Sequence, residues 1–142
     1  EVALDLRRRA VPWTFLWATV AGLLAWGLSS LVKDAVDRPR PFADGEIHAV
    51  GRLPGGSSFP SGHAATSFAA ATVIAAAAPR LRVPLYVLAA LIAWSRVYVG
   101  VHYPLDVIAG AIYGTLLGLL LVRALPRLAE FLLRSLRARR QG

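Results

Sequence analysis

Residues 11–32 read VPWTFLWATVAGLLAWGLSSLV, 22 residues without a single charge. At about 1.5 Å of rise per residue, a helix of that length crosses a hydrocarbon core of roughly 30 Å. Three further apolar stretches follow: 64–78 (AATSFAAATVIAAAA), 83–101 (VPLYVLAALIAWSRVYVGV) and 104–122 (PLDVIAGAIYGTLLGLLLV). The first of these three is nearly all small residues, which suits an inner helix whose neighbours approach closely. The Gly110, Gly114 and Gly118 ladder predicts the same close packing on the last span. The expectation is an all-α fold, a polytopic transmembrane helical bundle with four spans in a single domain over 1–142. Segment 33–59 is rich in Gly and Pro and reads as a folded loop or short interfacial helices, not a fifth span. His48 within it reads as a loop residue. After Arg123 comes an amphipathic basic tail, ALPRLAEFLLRSLRARRQG.

Composition agrees. The chain of 142 residues is 56% hydrophobic and 17% charged, with a mean hydropathy of +0.54. A disordered chain needs few apolar and many charged residues, and a soluble domain carries about a quarter charged. Cysteine is absent, which excludes a disulfide framework, Cys-ligated zinc and a thiol nucleophile. The net charge of +8 comes from 16 cations, 15 of them Arg. With the abundant Ala, this composition fits a GC-rich bacterial source. The cations lie between the apolar runs, not on a stripe interleaved with aromatics, so nucleic acid is not the expected partner. The chain starts at Glu1 and holds no Met, which predicts a piece of a longer protein.

The basic loops predict orientation. Arg7, Arg8 and Arg9 precede the first span, Arg80 and Arg82 join the second and third, and Arg123, Arg127, Arg134, Arg137, Arg139 and Arg140 follow the fourth. With four spans these fall on one side, the cytoplasmic one, with only Glu1, Asp5 and Glu130 as acids. The opposite loop balances Lys33, Arg38, Arg40 and Arg52 against Asp34, Asp37, Asp44 and Glu46.

Arg96 and Asp106 interrupt apolar spans. An ionisable group there is expensive and marks either an ion pair that holds the bundle or a functional site. The neighbouring span ends sharpen the question. Lys33 and Arg40 are seven apart, two turns on one face if the first helix continues, with Pro39 and Pro41 ending it at Arg40. Pro60-Ser61-Gly62-His63 opens the second span, and a hydroxyl with free N–H groups at a helix start forms an anion site. His102 and Asp106 are four apart across Pro104, which suits a first helical turn. A carboxylate there can accept the Nδ1–H of His102 and leave Nε2 free. The predicted topology brings all of these to one face: three cations, the neutral donors Ser61 and Gly62, and the imidazoles of His63 and His102. Such a set can cradle a phosphate and supply a nucleophile and an acid.

These residues resemble the three-part signature of the type 2 phosphatidic acid phosphatase (PAP2) superfamily: K-x6-R-P, P-S-G-H and S-R-x5-H-x3-D. Every fixed position is present, as Lys33…Arg40-Pro41, Pro60-Ser61-Gly62-His63 and Ser95-Arg96…His102…Asp106. The resemblance implies that His102 attacks phosphorus and becomes phosphohistidine, with Asp106 orienting it. It implies that His63 protonates the leaving oxygen and then activates water. Lys33, Arg40 and Arg96 would hold the phosphoryl oxygens, with Ser61 and Gly62 donating hydrogen bonds. No metal and no cofactor are expected, since fixed cations can neutralise phosphoryl charge. The implied substrate is a lipid phosphate in the membrane: a polyprenyl diphosphate by preference, with phosphatidylglycerophosphate or phosphatidic acid as other members of the class. Membrane relatives usually have six spans, so a missing pair is expected before Glu1. A non-catalytic lipid-binding scaffold and a vanadium haloperoxidase-like relative stay as alternatives, and self-association as a homo-oligomer stays open.

Overall fold

A computed structural model describes residues 2–43, 49–51 and 53–141, with side chains described between 13 and 124. Asp44, Glu46, His48 and Arg52 lie outside the described residues, as do Glu1 and the side chains of the basic clusters at 7–9 and 127–140. The described residues form four helices: α1 (Val2–Val36), α2 (Gly62–Ala77), α3 (Arg82–Tyr98) and α4 (Pro104–Gln141), with a 3-10 turn at Pro79–Leu81 leading into α3. No strand occurs among the described residues.

Among the described residues three stretches are long and apolar enough to cross a membrane: Trp13–Val36, Pro79–Tyr98 and Pro104–Ala124. The expected fourth, α2, has 16 residues and so rises only about 24 Å, short of a full hydrocarbon core. It is the inner helix that its small residues predict. It packs against α1, α3 and α4, and Ala64, Ala65 and Ala69 are fully buried.

The bundle keeps its large apolar side chains outside. On α4, Leu105, Ile108, Ile112, Leu116 and Leu120 project outward at spacings of three and four, one helical face. Trp13, Leu23 and Leu31 do the same on α1, and Leu91 and Trp94 on α3. The interior is Ala18, Ala21 and Ala25 of α1 against Ala65, Ala69 and Val73 of α2. Lipid is as apolar as leucine, so leucine gains little by burial, and close van der Waals contact selects small residues inside.

The glycine ladder is the tightest part of that packing. A Cβ on Gly110 would stand 2.5 Å from the carbonyl oxygen of Ser61, one on Gly118 would stand 2.7 Å from the Thr72 Cβ, and one on Gly114 would run into the Ala65 backbone. At Gly110 and Gly114 the backbone of α4 therefore meets the backbone of α2 directly, and at Gly118 only the short Thr72 side chain comes nearer than backbone. Polar stitches add to it: Tyr113 donates to the Ala25 carbonyl at 3.2 Å, and Thr72 and Tyr86 share a hydrogen bond of 2.8 Å.

Candidate active site

Arg38 precedes a proline, which disfavours helical backbone, so α1 stops at Val36. Asp37 takes a left-handed φ of +43°, and its N–H closes the last turn on the Lys33 carbonyl at 3.0 Å. Lys33 therefore lies in the last turn of the helix while Arg40 lies beyond it. The two do not share a helical face, which corrects the expectation of a continuous two-turn spacing. The strand-like run after Asp37 is stitched to the loop before α2. Arg38 N donates to Ser57 Oγ at 2.9 Å, Ser58 N donates to the Arg38 carbonyl at 2.8 Å, and Ser58 Oγ donates to the Pro39 carbonyl at 3.0 Å.

Arg40 is buried, 6% exposed, and braces this loop. Its Nε donates to the Gly56 carbonyl at 3.0 Å. Its Nη2 donates to the Gly55 and Ser57 carbonyls at 3.1 and 3.2 Å. Its Nη1 reaches the Val101 carbonyl at 3.0 Å. Four of the five guanidinium N–H groups are thereby occupied.

The second motif sits where α4 crosses α2. Ser61 N donates to the Asp106 carbonyl at 2.9 Å, and Ser61 Oγ is buried without a hydrogen-bond partner. Gly62 and His63 form the first turn of α2. The third motif owes its spacing to a reversal after α3. Gly100 adopts a φ of +74°, a conformation open to glycine, and folds the chain back. The N–H groups of Val101 and His102 then both reach the Arg96 carbonyl at 3.2 Å. The Arg96 side chain rests on Ser95 Oγ through Nε and Nη2, at 3.1 and 3.0 Å.

One cavity of about 580 Å³ results, and its wall includes Lys33, Arg40, Gly62, His63, Arg96 and His102. Six of the eight residues singled out from sequence thus face one space. The other two stand behind it: Ser61 and Asp106 are fully buried. Beyond Trp26, Gly62 and His63 the wall continues past Thr66 into an apolar trough of about 450 Å³ between α1 and α2, lined by Phe15, Leu23, Ala70 and Ile74.

The Asp106 carboxylate differs from its expected arrangement. The His102 Nδ1 lies 3.6 Å from Asp106 Oδ2, too long for a hydrogen bond, and Nδ1 has no other hydrogen-bond partner. Oδ2 instead accepts the Tyr103 N–H at 2.9 Å, and Oδ1 accepts Arg38 Nη1 at 2.6 Å. The cation that pairs with Asp106 is therefore Arg38, not Arg96. Arg38 escaped the sequence reading because the signature counts only Arg40 of the Arg-Pro-Arg-Pro run. The signal was the carboxylate at the head of an apolar span, which demands a cation or several donors when buried.

Burial, then the nearby Arg40 and Lys33 charges, push the His102 imidazole down to about 4, against smaller upward pulls from Asp106 and from the Ser58 backbone. Near neutral pH His102 is thus an uncharged nitrogen base facing three cations.

A sequence model of the PAP2 superfamily matches residues 12–130. The chain belongs to the PAP2 superfamily. Among PAP2 proteins it is 40% identical to a lipid A 1-phosphatase of Rhizobium johnstonii, over 78% of this chain and 47% of that one. It is 28% identical to the undecaprenyl-diphosphatase BcrC of Bacillus subtilis, over 82% of this chain and 60% of that one. The crystal structure of Aquifex aeolicus LpxE superposes with a TM-score of 0.72 at 29% identity, covering 86% of this chain and 76% of that one. The chain spans about half to three fifths of the length of these curated PAP2 relatives.

Proposed function

We propose that this PAP2 chain carries the reacting centre of a membrane lipid phosphatase that hydrolyses a polyprenyl diphosphate through a phosphohistidine on His102. One observation carries the reading: three segments far apart in sequence meet at a single cavity, with cations and two imidazoles on its wall and an apolar trough leading away from it. Lys33, Arg96 and the remaining N–H of Arg40 hold the terminal phosphoryl oxygens, with Gly62 donating from the helix start while Ser61 stands buried behind it. His102 Nε2 attacks phosphorus, the P–N bond forms and the bond to the leaving oxygen breaks. His63 gives that oxygen a proton, so polyprenyl phosphate departs. Water then attacks phosphorus, His63 takes its proton, the P–N bond breaks and inorganic phosphate leaves. The trough beyond Trp26 accommodates an apolar tail while the phosphate stays among the cations.

A second reading is a glycolipid 1-phosphate, favoured by the 40% identity to the lipid A 1-phosphatase against 28% to the undecaprenyl-diphosphatase. The two separate in one experiment. Full-length protein in detergent is offered undecaprenyl diphosphate, lipid A, phosphatidylglycerophosphate and phosphatidic acid, and phosphate release is measured with and without EDTA. The expected outcome is the highest kcat/KM on undecaprenyl diphosphate, unchanged by EDTA and lost in His102→Ala. A preference for lipid A selects the second reading. No release from any of them returns the chain to a lipid-binding scaffold, and loss of activity in EDTA overturns the metal-free mechanism.

A further inference from the structure

The loop between α1 and α2 carries, at Arg38, a charged group that the phosphate site does not use. Arg38 is one-third exposed, yet its Nη1 bonds the fully buried Asp106 at 2.6 Å. Its guanidinium carbon lies 4.4 Å from the Tyr103 ring centroid, a cation–π distance. Its backbone is held on both sides, by Ser57 Oγ and by the Ser58 N–H. Arg38 is thus fixed at its backbone, at its planar face and at its tip.

We propose that Arg38 is a positioning residue for His102, working through Asp106. This rests on the phosphohistidine reading above. A fully buried carboxylate four residues from an imidazole would ordinarily turn to it and favour the imidazolium. Here both Asp106 oxygens are engaged elsewhere, Oδ1 by Arg38 and Oδ2 by the Tyr103 N–H, and the imidazole is left at 3.6 Å. Arg38 divides the carboxylate's charge and fixes its rotamer, so His102 waits as a neutral nucleophile. Once phosphorus bonds to Nε2, the ring becomes cationic. The carboxylate at 3.6 Å is then its nearest anion on that side and needs only a small shift to accept the Nδ1–H.

The other charged or titratable groups around His102 are Lys33 from α1, Arg40 from the loop after it, His63 from α2 and Arg96 from α3, all on the same cavity wall. All are cationic or neutral, so Asp106 is the anion among these groups that can hold a proton on His102. Removing Arg38 leaves that anion undivided. The proton taken up by the His102 site then binds at higher pH, by about one unit or more.

The experiment reads this without turnover. The protein has three histidines, so imidazole NMR signals in detergent micelles can be assigned with His102→Ala and titrated. Arg38→Gln is expected to move the His102 midpoint upward by about one unit, and Arg38→Lys by less. Undecaprenyl diphosphate hydrolysis, if present, should show the same displacement in the acidic limb of kcat/KM. An Arg38 that only braces the loop would lower kcat or thermal stability and leave the midpoint where it is, which overturns the proposal. Arg38→Met keeps the stem on Tyr103 and replaces Arg38→Gln if the latter does not fold. An upward midpoint in a protein that hydrolyses nothing would uphold Arg38's action on His102 and reject the phosphatase reading alone.

Discussion

Arg40 Nη1 donates to the carbonyl of Val101 at 3.0 Å, one residue before His102. The first and third motifs are therefore joined through a guanidinium that also holds three carbonyls of the loop ahead of α2. Arg40 is thus a brace of the loop as well as a proposed phosphate ligand.

That dual role separates Arg40 from Lys33. Arg40→Lys cannot span four carbonyls, and it should cost about 2–4 kcal/mol of stability by leaving buried acceptors unpaired. Its melting temperature and its activity should fall together. Lys33→Ala removes a cation that faces other cations across the cavity, so activity should fall about 10²- to 10³-fold while the melting temperature holds or rises. Thermal unfolding in detergent beside phosphate-release rates makes the comparison. A Lys33 variant that melts early would mean that Lys33 is structural.

The low His102 value fixes the sign of a pH effect. Its folded-state value of about 4 lies below the ordinary 6.5, so the folded protein favours the neutral ring. The stability from that preference is complete above about pH 6.5 and is lost as pH falls toward 4. The acidic limb of kcat/KM should accordingly lie nearer pH 4 than 6.5, since protonated His102 has no lone pair on Nε2. A limb at 6.5 that persists in Asp106→Asn would assign it to another group. Trapping with labelled substrate should give an acid-labile, base-stable adduct that disappears in His102→Ala.

Gly110→Ala tests the helix crossing. Its new methyl would meet the Ser61 carbonyl at 2.5 Å, and that atom is backbone, so α2 and α4 must separate. A stability cost of about 1–3 kcal/mol is typical of overpacking. Activity should fall by more than the folded fraction does, because Ser61, Gly62 and His63 shift relative to His102. Gly27→Ala, on α1 with nothing near its Cβ position, is the control and should behave as the parent.

Orientation has its own test, since the chain has no cysteine. Ser57 is buried and unsuitable as a reporter, whereas Val50 is 71% exposed and Leu81 49% exposed. In intact spheroplasts an impermeant maleimide should label Val50→Cys and spare Leu81→Cys. The proposed reaction then occurs in the outer leaflet of the inner membrane. The reverse pattern would move it to the cytoplasmic leaflet.

The site residues of the cavity wall were legible because they stand at or close beyond helix ends, and helix ends could be located from apolar runs and prolines. Second-layer contacts were not. Arg38 and Arg40 look alike in sequence, and only the turn at Asp37 decides which one reaches Asp106. The Ser57-Ser58 pair reads as an ordinary loop, yet both are buried because the chain after α1 needs partners for its own backbone groups. The Ala-rich stretch announced an inner helix by its small residues. Its shortfall as a span follows from where the chain turns at both ends, at the Pro60 and Pro79 junctions.

The glycine face of α4 has one more effect. Where two helices touch through side chains, rotamer changes act as springs, and the gap between the helices breathes with them. At Gly110 and Gly114 the nearest contact is peptide against peptide, and at Gly118 it is the Cβ of the short Thr72 side chain, so the crossing behaves as a hard stop. His63 rides on the first turn of α2 and His102 just ahead of α4, so their separation inherits the stiffness of that crossing. Lipid tails can exchange freely over the outer leucines and tryptophans while the distance between the His63 and His102 imidazoles stays put.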